Sequence, residues 1–480
     1  MQLTSSQVAL LGDTISREPR AGWFPVYNPS NGTVLAYVQD GTAEDTRTAI
    51  AAADVAFAGW SGLTAKARSI ILKKWNDLVL AHQEDMALLV TLEQGRPIKE
   101  ARGEVTYGAS FIEWFAEEGK RAYGRTIPAT MPGKHLQTIK QPVGVSAAIT
   151  PWNFPISMIT RKVSPALAAG CTVVIKPSEE TPLCALVLLQ LAKQAGLPDG
   201  VVNVVNGTKA AEIGGVLTSD PRVKKLSFTG STPVGKLLYA QCAPTMKKIS
   251  MELGGNAPFL VFDDAEIDAA VEGALASKYR NTGQTCVCAN RLIVQSGIYD
   301  SFAARLTERV RALKLEEGWK EDSGLGPLIN QKAVDKVRHL VDDAVSKGAH
   351  IELGGHAHGL FYEGTVLTNV SRDMELFSTE IFGPVAPLFR FETEDEGIAM
   401  ANDTEFGLAA YAYTRDIGRA MRVAAKLQYG MVGMNDGLIS TEVTPFGGVK
   451  ESGLGREGAA EGLDEYLSIK YISYGGLGAI

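Results

Sequence analysis

Cysteine is scarce: positions 171, 184, 242, 286 and 288 are the only five in a chain of 480 residues. So sparse and odd a set excludes a disulfide framework and points to a reducing, cytoplasmic setting. Basic charge is not in excess either. With 47 Lys and Arg against 54 Asp and Glu, the net charge is −7, and no basic stripe offers a nucleic-acid footprint. No apolar run approaches the ~18 residues a membrane span needs. The opening Met1-Gln-Leu-Thr-Ser-Ser lacks the charged-then-apolar pattern of a signal peptide. Among the six histidines only His350, His356 and His358 fall together, in a glycine-rich stretch without cysteine, so no metal site is expected.

What is present is an ordinary globular balance. Hydrophobic residues make up 45% and charged residues 21%, which predicts a folded chain rather than a disordered one. The length allows about three domains at ~150 residues each. Residues 24–38 read as two short strands around Asn31-Gly32. Helical periodicity starts at the capping pattern Thr42-Ala-Glu-Asp45 and continues over 49–60, 65–82, 84–95 and 98–122. Between 143 and 253, strand-like runs (143–149, 172–176, 201–205, 224–228, 248–252) alternate with helix-like runs. That alternation predicts a parallel sheet with right-handed crossovers, hence an α/β fold. A second α/β block spans about 256–445. Residues 124–142 interrupt the pattern with a strand pair about Met131-Pro-Gly-Lys134, and 467–474 alternate like an edge strand able to pair with it. A hairpin reaching another subunit and an excursion packed on its own domain both account for this segment.

The chemistry centres on Asn281-Thr-Gly-Gln-Thr-Cys286-Val-Cys288. A lone cysteine is more often a packing residue than a nucleophile. Here it has company: Glu252, in Met251-Glu-Leu-Gly-Gly255, and Asn153, in Thr150-Pro-Trp-Asn-Phe-Pro155. Together they offer a nucleophile, a carboxylate base and an amide for an oxyanion. Asn153, Lys176 and Glu252 fall at or just past the carboxyl ends of predicted strands, where open parallel sheets bind ligands. Thr229-Gly230-Ser231-Thr232-Pro233-Val234-Gly235 joins a strand to a helix and can present N–H groups to a phosphate, although it is not Gly-x-Gly-x-x-Gly. Lys176, Ser178 and Glu179 can meet ribose hydroxyls, or simply cap the helix that follows. Cys288 admits a strained, labile bond to Cys286; as a small packing residue it needs no such role.

With Thr-Pro-Trp-Asn-Phe-Pro (150–155), Phe-Thr-Gly-Ser-Thr (228–232), Glu-Leu-Gly-Gly (252–255), Gly-Gln-Thr-Cys (283–286), Glu-Ile-Phe-Gly-Pro-Val (380–385) and Pro-Phe-Gly-Gly-Val-Lys (445–450) in this order, the chain resembles the NAD(P)-dependent aldehyde dehydrogenase superfamily over essentially its whole length. Within it the chain is most similar to succinate-semialdehyde dehydrogenases, through Met158-Ile-Thr-Arg161-Lys, Lys278-Tyr-Arg280 and Asn435-Asp-Gly-Leu-Ile-Ser440.

The resemblance implies a Rossmann-like NAD(P)-binding domain (1–123 and 143–254), an α/β catalytic domain (255–453) and a small β oligomerisation element (124–142 and 454–480). It makes Cys286 the nucleophile, Glu252 the general base and Asn153 the oxyanion donor. Lys176, Ser178 and Glu179 would meet the adenosine ribose, and Gly230 and Ser231 the pyrophosphate. Trp152, Leu253, Glu380 and Phe382 would line the path to the nicotinamide. Arg161, Arg280 and Ser440 would hold a distal carboxylate. The implied reaction is oxidation of succinate semialdehyde to succinate through a Cys286 thioester, in a homodimer or homotetramer. NAD is the expected cofactor because Glu179 repels a 2′-phosphate, with NADP usable. Glutarate semialdehyde, one methylene longer, is the alternative substrate; a non-catalytic nucleotide-binding member would be expected to lack Cys286, Glu252 or Asn153.

Overall fold

The computed structural model describes residues 1–476. Helix α1 (Ser5–Leu11), capped by the Thr4 side chain, leads into three antiparallel strands, β1 (Ile15–Ser16), β2 (Trp23–Tyr27) and β3 (Val34–Gln39), in the order β1-β3-β2. Helices α2 (Ala43–Ser61), α3 (Ala65–Ala81), α4 (Gln83–Gln94) and α5 (Ile98–Glu118) follow. Local sequence sets their ends. Thr42 and Asp45 form a capping box at the start of α2, Thr64 caps α3, and α4 stops at Gly95 with φ of 90°. Trp60 anchors α2: it is buried, and its indole N–H donates to the Leu167 carbonyl at 3.1 Å.

After the strand pair β4 (Arg125–Ile127) and β5 (Lys134–Pro142) come the parallel strands β6 (Val145–Ile149), β7 (Thr172–Lys176), β8 (Val202–Val204), β9 (Val223–Thr229) and β10 (Lys248–Glu252). They are connected by α6 (Ser157–Ala169), α7 (Pro182–Gln194), α8 (Ala210–Ser219) and α9 (Thr232–Cys242). The sheet order is β10-β9-β6-β7-β8, with Gly453–Leu454 added antiparallel outside β10. Chain order therefore reverses between β6 and β9. At such a switch point the connections leave on opposite faces and open a crevice beyond the carboxyl ends.

The second block is a seven-stranded sheet, of which the sequence pattern disclosed only Val385–Phe391. Its order is His350–Leu353, Thr365–Thr368, Val385–Phe391, β12 (Ala289–Gln295), β11 (Ala257–Val261), Ala409–Tyr413 and Met431–Met434. The helices α10 (Ile267–Lys278) and α11 (Ser296–Arg311) belong to this block. Strands β11 and Ala409–Tyr413 are buried at every position, so they carry no polar alternation to read.

The segment Leu467–Gly475 pairs antiparallel along the whole of β5, from Leu467 opposite Pro142 to Gly475 opposite Lys134. With β4 on the far side of β5 this makes a three-stranded sheet. Residues 477–480 of the segment 454–480 lie outside the described residues. The outer strand leaves Ile469 and Tyr471 exposed (65% and 59%), which is unusual for paired apolar side chains. Among the described residues, no helix is long and apolar enough to cross a membrane.

Helix α5 lies close against the start of α6, and Gly108 makes that approach possible. A Cβ there would stand 2.6 Å from Ile156 Cγ2, whereas one at Gly59, inside α2, would meet nothing within 4 Å. Gly108→Ala is therefore expected to destabilise the fold by about 1–3 kcal/mol. Gly59→Ala, which only removes chain entropy, is expected to raise stability by up to about 1 kcal/mol. Urea unfolding of the two variants beside the native chain checks both signs.

Candidate active site

Cys286 follows α10 through a short turn, Arg280–Gly283, in which Asn281, Thr282 and Gly283 take φ of 52°, 55° and 76°. Consecutive left-handed residues are unfavourable, most of all for a β-branched threonine. Hydrogen bonds hold them there. The Asn281 N–H donates to Glu100 at 2.7 Å, and its side-chain amide donates to the carbonyls of Asn153 (3.1 Å) and Gln284 (3.2 Å). Asn281 Oδ1 accepts from Arg96 Nε at 3.2 Å. Thr282 Oγ1 both donates to and accepts from the Gly326 backbone, and Gln284 Oε1 accepts from the Ile329 N–H at 3.0 Å. Gly283 leaves no room for a side chain, since a Cβ would lie 2.2 Å from the Gly383 carbonyl oxygen.

The Asn153 loop is fixed by the same groups. The Asn153 carbonyl also accepts from Arg96, which forms a fully buried ion pair with Glu104. Glu104 in turn accepts the N–H groups of Ile156 (2.9 Å) and Ser157 (3.3 Å). The Asn153 amide donates to the Gln284 carbonyl at 3.0 Å, which links it directly to the residue two before Cys286. Arg96, Glu104 and Asn281 were not read from the sequence as site residues. Most of their partners lie on other elements, and Asn281 entered the sequence reading only as the first residue of the Cys286 motif.

Of the residues singled out in the sequence, Trp152, Asn153, Gly230, Ser231, Leu253, Cys286, Glu380 and Phe382 line one cleft of about 350 Å³. Lys176, Ser178 and Glu179 line an adjoining cavity of about 590 Å³ that shares Trp152, Thr229, Gly230 and Ser231 with the first. The two form a continuous path from the carboxyl end of β7 to Cys286. Arg161, Arg280 and Ser440 meet Cys286 on its other side, around a cavity of only about 20 Å³. That is room for roughly one water. Glu252 and Cys288 line none of these three cavities.

The path has the features a dinucleotide needs. Gly230 keeps its floor open, since a Cβ there would lie 2.5 Å from Phe228 Cζ. Gly235 lets α9 close on Leu253, against whose Cδ2 a Cβ would stand at 2.3 Å. The α9 N-terminus receives no side-chain cap from Ser231, which leaves its first N–H groups and the helix dipole facing the path. Val234 and Leu237 offer an apolar wall for a base, and Lys176 pairs with Glu179 at 2.9 Å. At the Cys286 end, Trp152 and Phe382 meet edge to face with centroids 5.6 Å apart. Glu380 accepts the Gly255 N–H at 3.1 Å, and burial pushes its carboxyl up to about 7. These residues fit NAD(P).

Burial pushes the Cys286 thiol and the neighbouring carboxyls toward their uncharged forms. Burial pushes the Cys286 thiol up to about 12; Arg161 opposes this, and Glu380 and Glu252 add to it. Glu252, at the end of β10, is raised well above the carboxylate range, first by burial and then by the charge of Glu457, against Arg161 and Lys162. Among the described residues neither of its oxygens has a hydrogen-bond partner, and Oε1 packs where a Cβ on Gly447 would stand 3.0 Å away. Glu252 thus lies behind the cleft wall rather than in it. The two arginines also differ. Arg161 stands 2.8 Å from Glu457, whose other oxygen holds Lys162, and stacks 3.9 Å from the Phe446 ring centroid. Among the described residues, Arg280 has no ion-pair partner within 4.0 Å and faces the Phe154 ring. Cys286 and Cys288 are both free, and Cys288 turns its sulfur to the Lys278 carbonyl at 3.3 Å.

Because Asn281 positions both the Asn153 and Cys286 loops, Asn281→Gly keeps the left-handed backbone accessible and removes the side-chain bonds. Turnover is expected to fall about a hundredfold, with the mutant still folded by circular dichroism.

The chain matches the aldehyde dehydrogenase family over residues 16–472. It is 57% identical to a Pseudomonas aeruginosa protein named glutarate-semialdehyde dehydrogenase, over 94% of each chain. It is also 57% identical to an Escherichia coli (strain K12) protein named succinate-semialdehyde dehydrogenase [NADP(+)], again over 94% of each. The crystal structure of succinate-semialdehyde dehydrogenase from Burkholderia pseudomallei superposes with a TM-score of 0.95 at 56% identity, covering 98% of this chain and 99% of that one. A thiol held at the end of a dinucleotide-shaped path, in a chain with this match, has one reading: the protein belongs to the aldehyde dehydrogenase family and oxidises aldehydes with NAD(P).

Proposed function

We propose that this enzyme oxidises a short aldehyde ending in a carboxylate, succinate semialdehyde first and glutarate semialdehyde second, to the dicarboxylic acid. The observation that carries the reading is Arg280, a guanidinium without a carboxylate partner among the described residues, on the cavity that also holds Cys286. A half-buried arginine whose Nε is buried and unpartnered calls for an anion, and a fork of N–H donors matches a carboxylate. Arg161 supports the same end of the substrate from within its pair with Glu457, and Ser440 adds a hydroxyl. The names of the two relatives point to the same class of aldehyde.

In the reaction, Cys286 Sγ bonds to the aldehyde carbon and its proton leaves to a base. Asn153 and the Cys286 amide N–H face the oxygen that becomes anionic, a contribution of about 3–4 kcal/mol per donor. The dinucleotide, when bound, supplies the acceptor for hydride. The acyl group then held on Cys286 is released by water, from which Glu252 takes the proton as Cys286 departs with the acid as product. Burial raises the Glu252 pKa, so its carboxylate, once it has given up its proton, is a stronger base than a free one. Its place behind the wall requires it to turn toward Cys286, or to act through a water.

NAD is the proposed preference. Glu179 engages Lys176, so a 2′-phosphate would meet a carboxylate rather than a free ammonium. The exposed Ile469 and Tyr471 on the three-stranded sheet support a subunit contact in a homodimer or homotetramer, and the free cysteines support a cytoplasmic enzyme.

Arg280→Ala is expected to lower kcat/KM for succinate semialdehyde about 10- to 100-fold more than for butanal, its uncharged counterpart; equal losses would refute the carboxylate reading. Glu179→Ser is expected to raise kcat/KM with NADP relative to NAD by about tenfold, as charge repulsion worth ~1.4 kcal/mol is removed. Steady-state rates with each cofactor decide it.

A further inference from the structure

The small cavity beside Cys286 contains a donor that neither the resemblance nor the reaction assigns. Tyr107 lies on α5, one residue before Gly108, and the close contact of α5 with Ile156 brings it to the wall shared with Arg161, Arg280, Ser440 and Cys286. Its ring is set edge-on to Phe111, with centroids 5.0 Å apart and planes at 75°. The hydroxyl at its tip is buried and, among the described residues, has no hydrogen-bond partner.

The neighbouring polar atoms are in the same condition. Arg161 Nε, Arg280 Nε and Ser157 Oγ are also buried without hydrogen-bond partners among the described residues, while Arg161 Nη2 is met by Glu457. Native interiors leave few such groups, and several around one cavity mark a place for a ligand rather than a packing fault. All of these atoms can donate, and the guanidinium nitrogens can do nothing else. What is missing is an acceptor. A carboxylate has two oxygens with about four lone-pair sites, so one bidentate arginine leaves places to fill. Burial raises the Tyr107 phenol above its ordinary pKa while Arg161 and Arg280 oppose the shift, so the hydroxyl keeps its proton at neutral pH.

We propose that the Tyr107 hydroxyl donates a hydrogen bond to the terminal carboxylate of the substrate and shares with Arg280 the selection of acid-ended aldehydes. The assignment rests on the reading of this cavity as the carboxylate site. It deepens that reading by adding a neutral donor, one that imposes direction without adding charge to a site that already holds two arginines.

The test is Tyr107→Phe, which keeps the ring on Phe111 and deletes only the oxygen. The ratio of kcat/KM for succinate semialdehyde to that for butanal is expected to fall about 10- to 100-fold, mainly through KM. The thermal midpoint of the ligand-free enzyme is expected to hold or rise, because an unpaired buried hydroxyl has been removed. A structural role would instead lower the midpoint and depress both aldehydes alike, and that result overturns the proposal. A native preference that Arg280→Ala abolishes and Tyr107→Phe leaves intact overturns the Tyr107 assignment alone. A native enzyme with no preference for the acid-ended aldehyde overturns the carboxylate reading, and this one with it.

Discussion

The site depends on the buried pair Arg96–Glu104. Cys286 and Asn153 belong to different sheets, and neither loop has regular structure of its own at the point where they meet. Arg96 donates to Asn281 on one loop and to the Asn153 carbonyl on the other, while Glu104 takes the two N–H groups that begin the next segment. A buried ion pair contributes little net stability, because desolvation consumes most of the attraction. Its value here is geometric. Removing either member strands a charge in the interior, so the two loops are held at one separation or not at all.

Charge is rationed throughout the cleft. The thiol, Glu252 and Glu380 are all pushed toward their neutral forms by burial, and Arg161 is largely answered by Glu457. Arg280 is the conspicuous exception. Arg280, with no carboxylate within 4.0 Å among the described residues, lies on the cavity beside Cys286 away from the dinucleotide path. On the function proposed above, that one guanidinium would both select an acid-ended aldehyde and turn its carbonyl toward Cys286.

Much of this was legible in the sequence, for identifiable reasons. Helix starts carry their own chemistry, as with Thr42-Ala-Glu-Asp45, and the β6 to β10 run alternates with helices at regular spacing. Motifs such as Gly-Gln-Thr-Cys286 are contiguous because a turn must hold them. Strands β11 and Ala409–Tyr413 were missed, since burial on both faces erases the polar alternation that reveals a strand. Glu252 could be named but its rotation away from the cleft could not, because that depends on Gly447 and Glu457, about two hundred positions on. The Arg96, Glu104, Asn281 and Tyr107 contacts were beyond reach for the same reason. Each is made between elements whose meeting is decided by the whole fold.

The strand laid along β5 has a consequence for biogenesis. Ser468 and Gln141 face each other across 327 positions of chain. During synthesis β5 is therefore finished long before its partner exists, and its edge stays open while most of the polypeptide is still being made. Closing so long a loop is slow, and an open edge can recruit a neighbouring nascent chain. Nascent molecules on one polysome are the nearest such neighbours.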